Sequence, residues 1–303
     1  MRAIRFDSYG GPEVLHPAEA EPPEPKPGKV RIRVRASGVN PFDGKVRSGA
    51  MQAMIKRSLP AIPGIELAGV VDALGEGATG FAVGDAVLGR STTGSYAEYA
   101  IAGEIVAKPE GLAWEAAAAL PVAVGTAQRI LQELKVGPGE TLLINGGAGA
   151  VGTMAVQLAV ARGAKVIATA AAANQEYLAS LGATPTTYGD GLVERVRALS
   201  PGGVDAVFDV AGKGALPASI ELRGGTDRIV TIADPAAQDL GVAFISAGTS
   251  ATSAADLAEA AEQAASGKLV VTLGAVLPLA EAAEAHRIID AGHVRGKVVL
   301  TVD

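Results

Sequence analysis

The chain has no cysteine among its 303 residues. Disulfides, thiolate metal ligands and a cysteine nucleophile are therefore excluded. Histidine is nearly as scarce: only His16, His286 and His293 occur, at separations that match no zinc motif. No sequence signature of a Ser-His-Asp triad accompanies them, so hydrolysis by that route has no support. Aromatic residues make up 4% of the chain, which leaves Ala, Val, Leu and Ile to build the interior. Lys and Arg form no cluster and the net charge is −6, so no nucleic-acid partner is expected. The longest apolar tracts are broken by charge and glycine and fall short of a membrane span, so no membrane partner is expected. The opening residues, MRAIRFDSYG, contain no apolar run and do not read as a signal peptide; the expectation is a cytoplasmic protein.

What is abundant is small and apolar: 49% of residues are hydrophobic and 39 are glycine. Such a chain can bury a sizeable core, and its length suits one large or two ordinary domains. Met1 to about Pro121 reads as mostly β. Val30 to Ala36 (VRIRVRA) alternates apolar and charged residues with period two, the mark of a half-buried strand. Further short strands are expected at Arg2–Phe6, Ile65–Ala73, Ala86–Gly89, Ser95–Ala100 and Ile105–Lys108, separated by Gly and Pro turns, a pattern that suggests a small barrel. A helical region starts at Trp114, crosses Pro121 and resumes to Val136. After Gly137-Pro138-Gly139 the rhythm changes. Strands are expected at 140–144, 165–169, 184–187, 205–210, 228–232 and 242–245, with helices at 154–162, 175–181, 192–199 and 254–266. That alternation implies a doubly wound parallel sheet. Leu269–Leu273 and Lys297–Val302 are strand-like again, around a helix at Leu279–Ile289.

One stretch stands out, Asn145 to Gly152, which reads NGGAGAVG. Gly147-x-Gly149-x-x-Gly152 lies between an expected strand and an expected helix, inside a βαβ unit. That context suits a dinucleotide fingerprint better than a merely structural glycine turn. The glycines allow the tight turn, the close approach of a pyrophosphate and close helix–strand packing. Gly147, Gly149, Ala150, Val151 and Gly152 are the expected pyrophosphate contacts, at a helix N-terminus whose free N–H groups favour anions. In such folds an acid about 20 residues after the glycines binds the ribose 2′-hydroxyl. Here the position is Thr169, followed by Ala170 to Ala173, and no acid is present. A carboxylate would repel a 2′-phosphate, so its absence favours NADPH. No Arg or Lys replaces it, which leaves NADH open.

Several motifs together resemble one family. They are Gly11–Leu15 (GPEVL), Pro27–Asp43 (PGKVRIRVRASGVNPFD), Pro63–Val71 (PGIELAGVV), Val83–Gly89 (VGDAVLG), Ser95–Tyr99 (SYAEY), Ala119–Ala127 (ALPVAVGTA), the NGGAGAVG loop, Val204–Val210 (VDAVFDV) and Gly296–Leu300 (GKVVL). The combination, spread over nearly the whole chain, resembles the zinc-free, zeta-crystallin-like quinone oxidoreductase branch of the medium-chain dehydrogenase/reductase superfamily. The resemblance implies an α/β fold: a GroES-like β-barrel domain (1–122 and 268–303) for substrate and a Rossmann doubly wound parallel-sheet domain (123–267) for the cofactor, with the active site in the cleft. Zinc-dependent relatives carry Cys where Asn40 stands and Gly-His-Glu where Gly64-Ile65-Glu66 stands, so no metal site is expected.

The resemblance also assigns residues. Asn40 of the Asn-Pro-x-Asp motif and Thr126 are placed near the nicotinamide and substrate, although Asn before Pro41 is equally a turn starter. Some relatives carry a Tyr shortly after that motif, and this chain has none there. Tyr188 falls where relatives pack a Tyr by the adenosine phosphate, with Ala173 or Asn174 in place of a basic residue. Ala211 lies at a strand end lining the cofactor, Ala233 and Phe244 in segments flanking the nicotinamide, and Lys297 reaches the cofactor or caps a turn. The expectation is a zinc-independent NADPH-dependent oxidoreductase that transfers hydride to a quinone or activated enone, as a homodimer. The alternatives are a trans-2-enoyl thioester or other alkene reductase, and a cofactor-binding structural or regulatory protein with little turnover.

Overall fold

Val30, Ile32 and Val34 are buried while Arg33 between them is exposed, so the period-two reading of this stretch describes a real strand face. The computed structural model describes residues 1–55, 58–245 and 253–303. They fall into two compact units, Met1–Val122 with Ser253–Asp303, and Ala123–Thr252.

In chain order the first unit opens with an antiparallel pair, β1 (Arg2–Arg5) and β2 (His16–Glu19). Then come β3 (Val30–Val39), α1 (Pro41–Arg47), β4 (Glu66–Leu74), β5 (Ala86–Ser91), β6 (Tyr99–Ala107) and α2 (Trp114–Ala118). From Ala36 the strand β3 is buried continuously, through Ser37, Gly38 and Val39. Helix α2 packs there, so this half has no solvent face.

The second unit contains most of α3 (Pro121–Glu133), then β7 (Thr141–Asn145), α4 (Ala150–Ala161), β8 (Lys165–Thr169), α5 (Gln175–Ser180), β9 (Thr184–Thr186), α6 (Leu192–Leu199), β10 (Ala206–Asp209), α7 (Leu216–Arg223), β11 (Ile229–Thr231) and β12 (Ala243–Phe244). The chain re-enters the first unit with α8 (Ala254–Ala265), β13 (Leu273–Pro278), α9 (Ala282–Ala291) and β14 (Lys297–Thr301).

Among the described residues the second unit's sheet runs β12-β11-β10-β7-β8-β9, every pairing parallel. The order reverses direction between β7 and β10, the switch point where open α/β sheets bind ligands beyond their strand C-termini. β7 is buried at every position, as a central parallel strand covered on both faces must be. The first unit's sheet runs β13-β14-β3-β4-β5-β6, and Arg31–Arg33 of β3 also pair with Tyr99–Ile101 of β6. That second pairing closes β3 to β6 into the expected small barrel, around Ile32, Val34, Leu67, Val71, Val87 and Ala100.

Four local expectations change. The strand expected at 269–273 begins at Leu273 and runs to Pro278, because only these residues pair with β14 along the sheet edge. The helical region at Trp114 is two helices: Ala119 and Leu120 separate α2 from α3, and Pro121 opens α3, where its missing N–H costs nothing. Helix α7 was not foreseen, since it is short and carries Pro217 at its second position. Helix α8, expected within the Rossmann domain, groups with the first unit, where it packs against β6.

Candidate functional site

The glycine loop is built by the C-terminal end of β7 and the start of α4. Gly146 takes φ +87°, which turns the chain sharply off the strand. Its N–H donates to Thr169 Oγ1 at 3.1 Å, and the Gly147 N–H donates to the Thr169 carbonyl at 2.9 Å. Thr169 is buried and thus pins the loop to the end of β8. A Cβ on Gly147 would meet Ala168 Cβ at 2.9 Å and Leu178 Cδ2 at 3.1 Å. A Cβ on Gly152 would lie 2.2 Å from the Gly146 carbonyl oxygen. The first and last fingerprint glycines are therefore packing requirements. At Gly149 the nearest atom to such a Cβ is 3.8 Å away, so the protein alone does not demand glycine there. Close approach of a ligand does explain it.

Gly149 is the N-cap of α4 and offers no side chain to its first turn. The N–H groups of Ala150, Val151 and Gly152 have no partner among the described residues, as a first helical turn leaves them. This cradle fits the pyrophosphate of a dinucleotide: free N–H donors, a favourable dipole and no side chain in the way.

At the end of β10, the Asp209 carboxylate accepts from the N–H groups of Ala211 and Gly212 at 3.2 and 3.3 Å, and from Thr231 Oγ1 at 2.6 Å. Thr231 Oγ1 in turn accepts from the N–H groups of Ala233 and Asp234 at 3.1 and 3.0 Å. Burial pushes the Asp209 carboxyl up, and these hydrogen bonds hold it down. The network fixes the loops after β10 and β11. A Cβ on Gly146 would come within 3.0 Å of Ala211 Cβ, and one on Gly212 within 2.7 Å of Ala233 Cβ. Gly147, Gly149, Ala150, Val151, Gly152, Thr169, Ala211 and Ala233 thus gather at the C-terminal edge of the sheet.

The remaining expected residues lie further out. Asn174 ends the short turn Ala172–Asn174 before α5 and makes no cap hydrogen bond. Tyr188 follows the edge strand β9 and is 57% exposed. Arg195 steadies that loop by donating to the carbonyls of Thr187 at 3.0 Å and Asp190 at 2.7 Å. Phe244 lies on the opposite edge strand, β12, and is half exposed. Thr126 is buried in α3.

Asn40 and Lys297 belong to the first unit, where they join a buried polar cluster. Asn40 is the N-cap of α1, and its N–H donates to Asp43 Oδ2 at 2.9 Å. Its side-chain Nδ2 donates to Glu66 Oε1 at 2.8 Å and to Asp43 Oδ2 at 3.4 Å. Its Oδ1 accepts from Lys297 Nζ at 2.6 Å. Lys297 also forms an ion pair with Glu66, whose other oxygen accepts the Val122 N–H at 2.8 Å. Every polar group of the Asn40 side chain is therefore engaged by the protein. Lys297 is neither a surface lysine nor a turn cap.

A hydrogen-bonded row leads away from Asp43. Arg47 Nη1 lies 2.9 Å from His286 Nδ1, His286 Nε2 lies 3.2 Å from Tyr96 Oη, and Tyr96 Oη donates to Asp43 Oδ2 at 3.4 Å. Guanidinium can only donate, so Nδ1 of neutral His286 accepts and Nε2–H points at Tyr96. The row is thus directed from Arg47 to Asp43. Arg47 is anchored by Asp290 Oδ2 at 3.0 Å. Burial, reinforced by the Arg47 cation, pushes the His286 imidazolium down to about 4. Burial raises the Asp43 carboxyl to about 6, and raises the Tyr96 hydroxyl well above its usual value.

This cluster does not fit a zinc ion. At the positions of Asn40, Ile65 and Glu66 it offers one amide, one carboxylate already paired with an ammonium, and no thiolate or imidazole. Among the described residues no group of three or more His, Asp and Glu is placed to hold a metal. Nor is any described helix long and apolar enough to cross a membrane.

Sequence reasoning assigned no site role to Asp43, Arg47, Tyr96 or His286. Asp43 was findable: Asn at an N-cap with Asp three positions on is a capping-box pattern. Arg47 and His286 are 239 residues apart, and no local signal joins them.

Comparison with known proteins agrees with this architecture. A family model described as "Alcohol dehydrogenase GroES-like domain" matches residues 26–117, and one described as "Zinc-binding dehydrogenase" matches residues 181–300. A human quinone oxidoreductase is 31% identical over 322 residues, covering 99% of this chain and 97% of that protein. The solved quinone oxidoreductase from Coxiella burnetii has a TM-score of 0.88 at 32% identity, covering 100% of this chain and 99% of that one. A mycobacterial protein solved in complex with NADPH has a TM-score of 0.85 at 29% identity, covering 100% of both chains. With this fold, this glycine loop and a cluster unfit for zinc, the chain belongs to the zinc-free quinone oxidoreductase branch of the medium-chain dehydrogenase/reductase superfamily and is an oxidoreductase of that type with a nicotinamide cofactor.

Proposed function

We propose that this protein is a zinc-independent, NADPH-dependent reductase of quinones or activated enones. The observations that carry the reading are an open glycine cradle for a dinucleotide and a polar cluster whose donors do not fit a zinc ion. When bound, NADPH supplies a hydride, and an acceptor already polarised by its own carbonyl needs no metal to receive it. The chain's part is to bind and position. The loop N–H groups and the start of α4 hold the pyrophosphate, and the loops fixed by Asp209 and Thr231 hold their backbone in place for the nicotinamide end.

NADPH is preferred over NADH in this reading because Thr169 to Gln175 contain no carboxylate to repel a 2′-phosphate or to bind the 2′-hydroxyl. The NADPH complex of the mycobacterial neighbour supports the same choice. Asn40 acts by holding other groups, since its amide is fully engaged. The protein is further taken to be a homodimer joined through the exposed edge strand β12.

A stopped assay of NADPH oxidation against a panel of quinones and enones tests the activity. Turnover of at least one acceptor is expected, with tighter binding of NADPH than of NADH. Tight NADPH binding without any turnover would overturn the reductase reading in favour of a binding protein. Equal affinities, or a preference for NADH, would overturn the cofactor choice.

A further inference from the structure

The end of β8 is where a dinucleotide's ribose 2′ position is met, and the residues that follow it, Ala170 to Asn174, carry no charge. A 2′-phosphate bound there must find its cation elsewhere. The part of the chain that forms β7, β8 and β9 with their helices, Thr141–Leu199, holds four: Arg162, Lys165, Arg195 and Arg197. Arg162 ends α4 and Lys165 begins β8, so both lie at the edge of the sheet opposite the glycine loop. Arg197 is paired with Glu221 at 2.8 Å. Arg195 reaches back from α6 to the loop after β9, donating to the carbonyls of Thr187 at 3.0 Å, Tyr188 at 3.4 Å and Asp190 at 2.7 Å. These acceptors are neutral, and among the described residues no carboxylate pairs with this guanidinium. The side chains of Asp190 and Glu194 are exposed to water, which screens them. The loop that Arg195 holds lies against the end of β8. Thr169 stands opposite Thr186, and the Ala170 N–H donates to the Thr186 carbonyl at 3.1 Å. Gln175 Nε2 ties the two loops together by donating to the Ala170 and Thr186 carbonyls at 2.9 and 3.2 Å. Thr187 is the next residue. Neighbouring strands lie ~4.8 Å apart, so this loop is about one strand spacing from the end of β8 and about two from the glycine loop at the end of β7.

We propose that Arg195 supplies the positive charge that selects a 2′-phosphate at the end of β8, and so selects NADPH over NADH. The inference rests on the NADPH reading, and every residue it uses belongs to the second unit. The guanidinium stays protonated at any working pH. Its hydrogen bonds to the loop fix the charge in place, whereas a free surface chain would lose rotamer freedom to reach the phosphate. Because its partners are neutral carbonyls, it attracts the phosphate without giving up an ion pair. The pyrophosphate is the more distant anion and has its own N–H cradle on α4, so the charge discriminates at the adenosine end. The basic residue that the family resemblance places at Ala173 or Asn174 is thus replaced by one from α6.

The probes are 2′,5′-ADP and 5′-AMP, which differ only by the 2′-phosphate, titrated calorimetrically into the full chain with no nicotinamide or acceptor present. The unmodified protein is expected to bind 2′,5′-ADP at least about tenfold more tightly than 5′-AMP, by a margin that shrinks as salt rises. Arg195→Gln keeps hydrogen-bond donors for the loop and removes the charge. It is expected to weaken 2′,5′-ADP about tenfold while changing 5′-AMP less than about threefold. Arg195→Lys keeps the charge and is expected to hold a larger margin than the Gln variant. The proposal is overturned if the Gln variant keeps the full margin, or if the Lys variant discriminates no better than the Gln variant. It is also overturned if the Gln variant loses both ligands equally, which would make Arg195 a structural staple of the loop. No margin in the unmodified protein would sink the NADPH reading and this inference with it; a margin that survives in the Gln variant removes Arg195 alone.

Discussion

Replacing Gly152 by alanine separates the two roles of the glycine loop. Inside an exposed helix this exchange normally stabilises by about 1 kcal/mol. Here the new methyl carbon would lie 2.2 Å from the Gly146 carbonyl oxygen and 2.8 Å from Gly147 Cα. Ordinary contacts begin near ~3.5 Å, so the Gly146–Gly147 turn must retreat by roughly 1 Å from its place on Thr169. Overpacking of this kind costs about 1–3 kcal/mol, and after the helix gain a net loss of about 0–2 kcal/mol remains. The effect on ligand is larger. Hydrogen bonds to charged groups are worth about 1.5–3 kcal/mol each. Loss of two phosphate contacts from the displaced loop raises the NADPH Kd at least ~100-fold. The assay is NADPH fluorescence titration beside thermal unfolding. Gly149→Ala is the control, because its Cβ meets nothing of the protein closer than 3.8 Å. It should leave Tm nearly unchanged and still weaken NADPH binding, by crowding the phosphate. The reasoning is refuted if Gly152→Ala binds NADPH within threefold of the unmodified protein, or if Gly149→Ala loses as much stability as Gly152→Ala.

Other outcomes follow from the buried polar groups. His286, held down to about 4 in the fold, contributes stability that is present above its unfolded value near ~6.5 and lost as pH falls towards 4. Asp43, raised to about 6, acts in the opposite sense: its contribution is full below ~4 and lost as pH rises through 6. Each effect is about 3 kcal/mol at most. Urea unfolding of His286→Gln should therefore show stability falling between pH 4 and 6.5, and Asp43→Asn should show it rising; parallel profiles would contradict the assignment. Thr231→Val removes the hydroxyl that donates to buried Asp209 and accepts two backbone N–H groups, and should cost about 2–3 kcal/mol in chemical denaturation. A loss below about 0.5 kcal/mol would show that the Asp209 network is not holding these loops. Asn40→Asp sets a third carboxylate beside Glu66 and Asp43 with only Lys297 to balance them. It should destabilise by about 3–5 kcal/mol at pH 7 and by less at pH 5, and equal loss at both pH values would argue against a charge effect.

The parts readable in advance were those written in neighbouring residues. The period-two run of β3, the apolar run of β7, the fingerprint between β7 and α4, and the absence of Cys ligands each need only a short window of chain. Even the missing acid after β8 is a matter of counting along one βαβ unit. Strand ends and short helices such as α7 were less readable, because the sheet partner, and not local preference, sets where pairing stops.

By itself, then, the sequence determined the α/β class, the dinucleotide loop and the lack of thiolate ligands. These depend on residue type and spacing, and no distant partner can alter them. Only the tertiary structure decided what Asn40, Lys297 and His286 do. Lys297 meets Asn40 across 257 residues of chain, and Arg47 meets His286 across 239. Pairing of β14 beside β3 puts Val298 opposite Val39 and so carries Lys297 in beside Asn40, while packing of α9 on α1 brings His286 to Arg47. Charge type can be read from the letters, but burial, partner and remaining donor capacity exist only once the strands have paired.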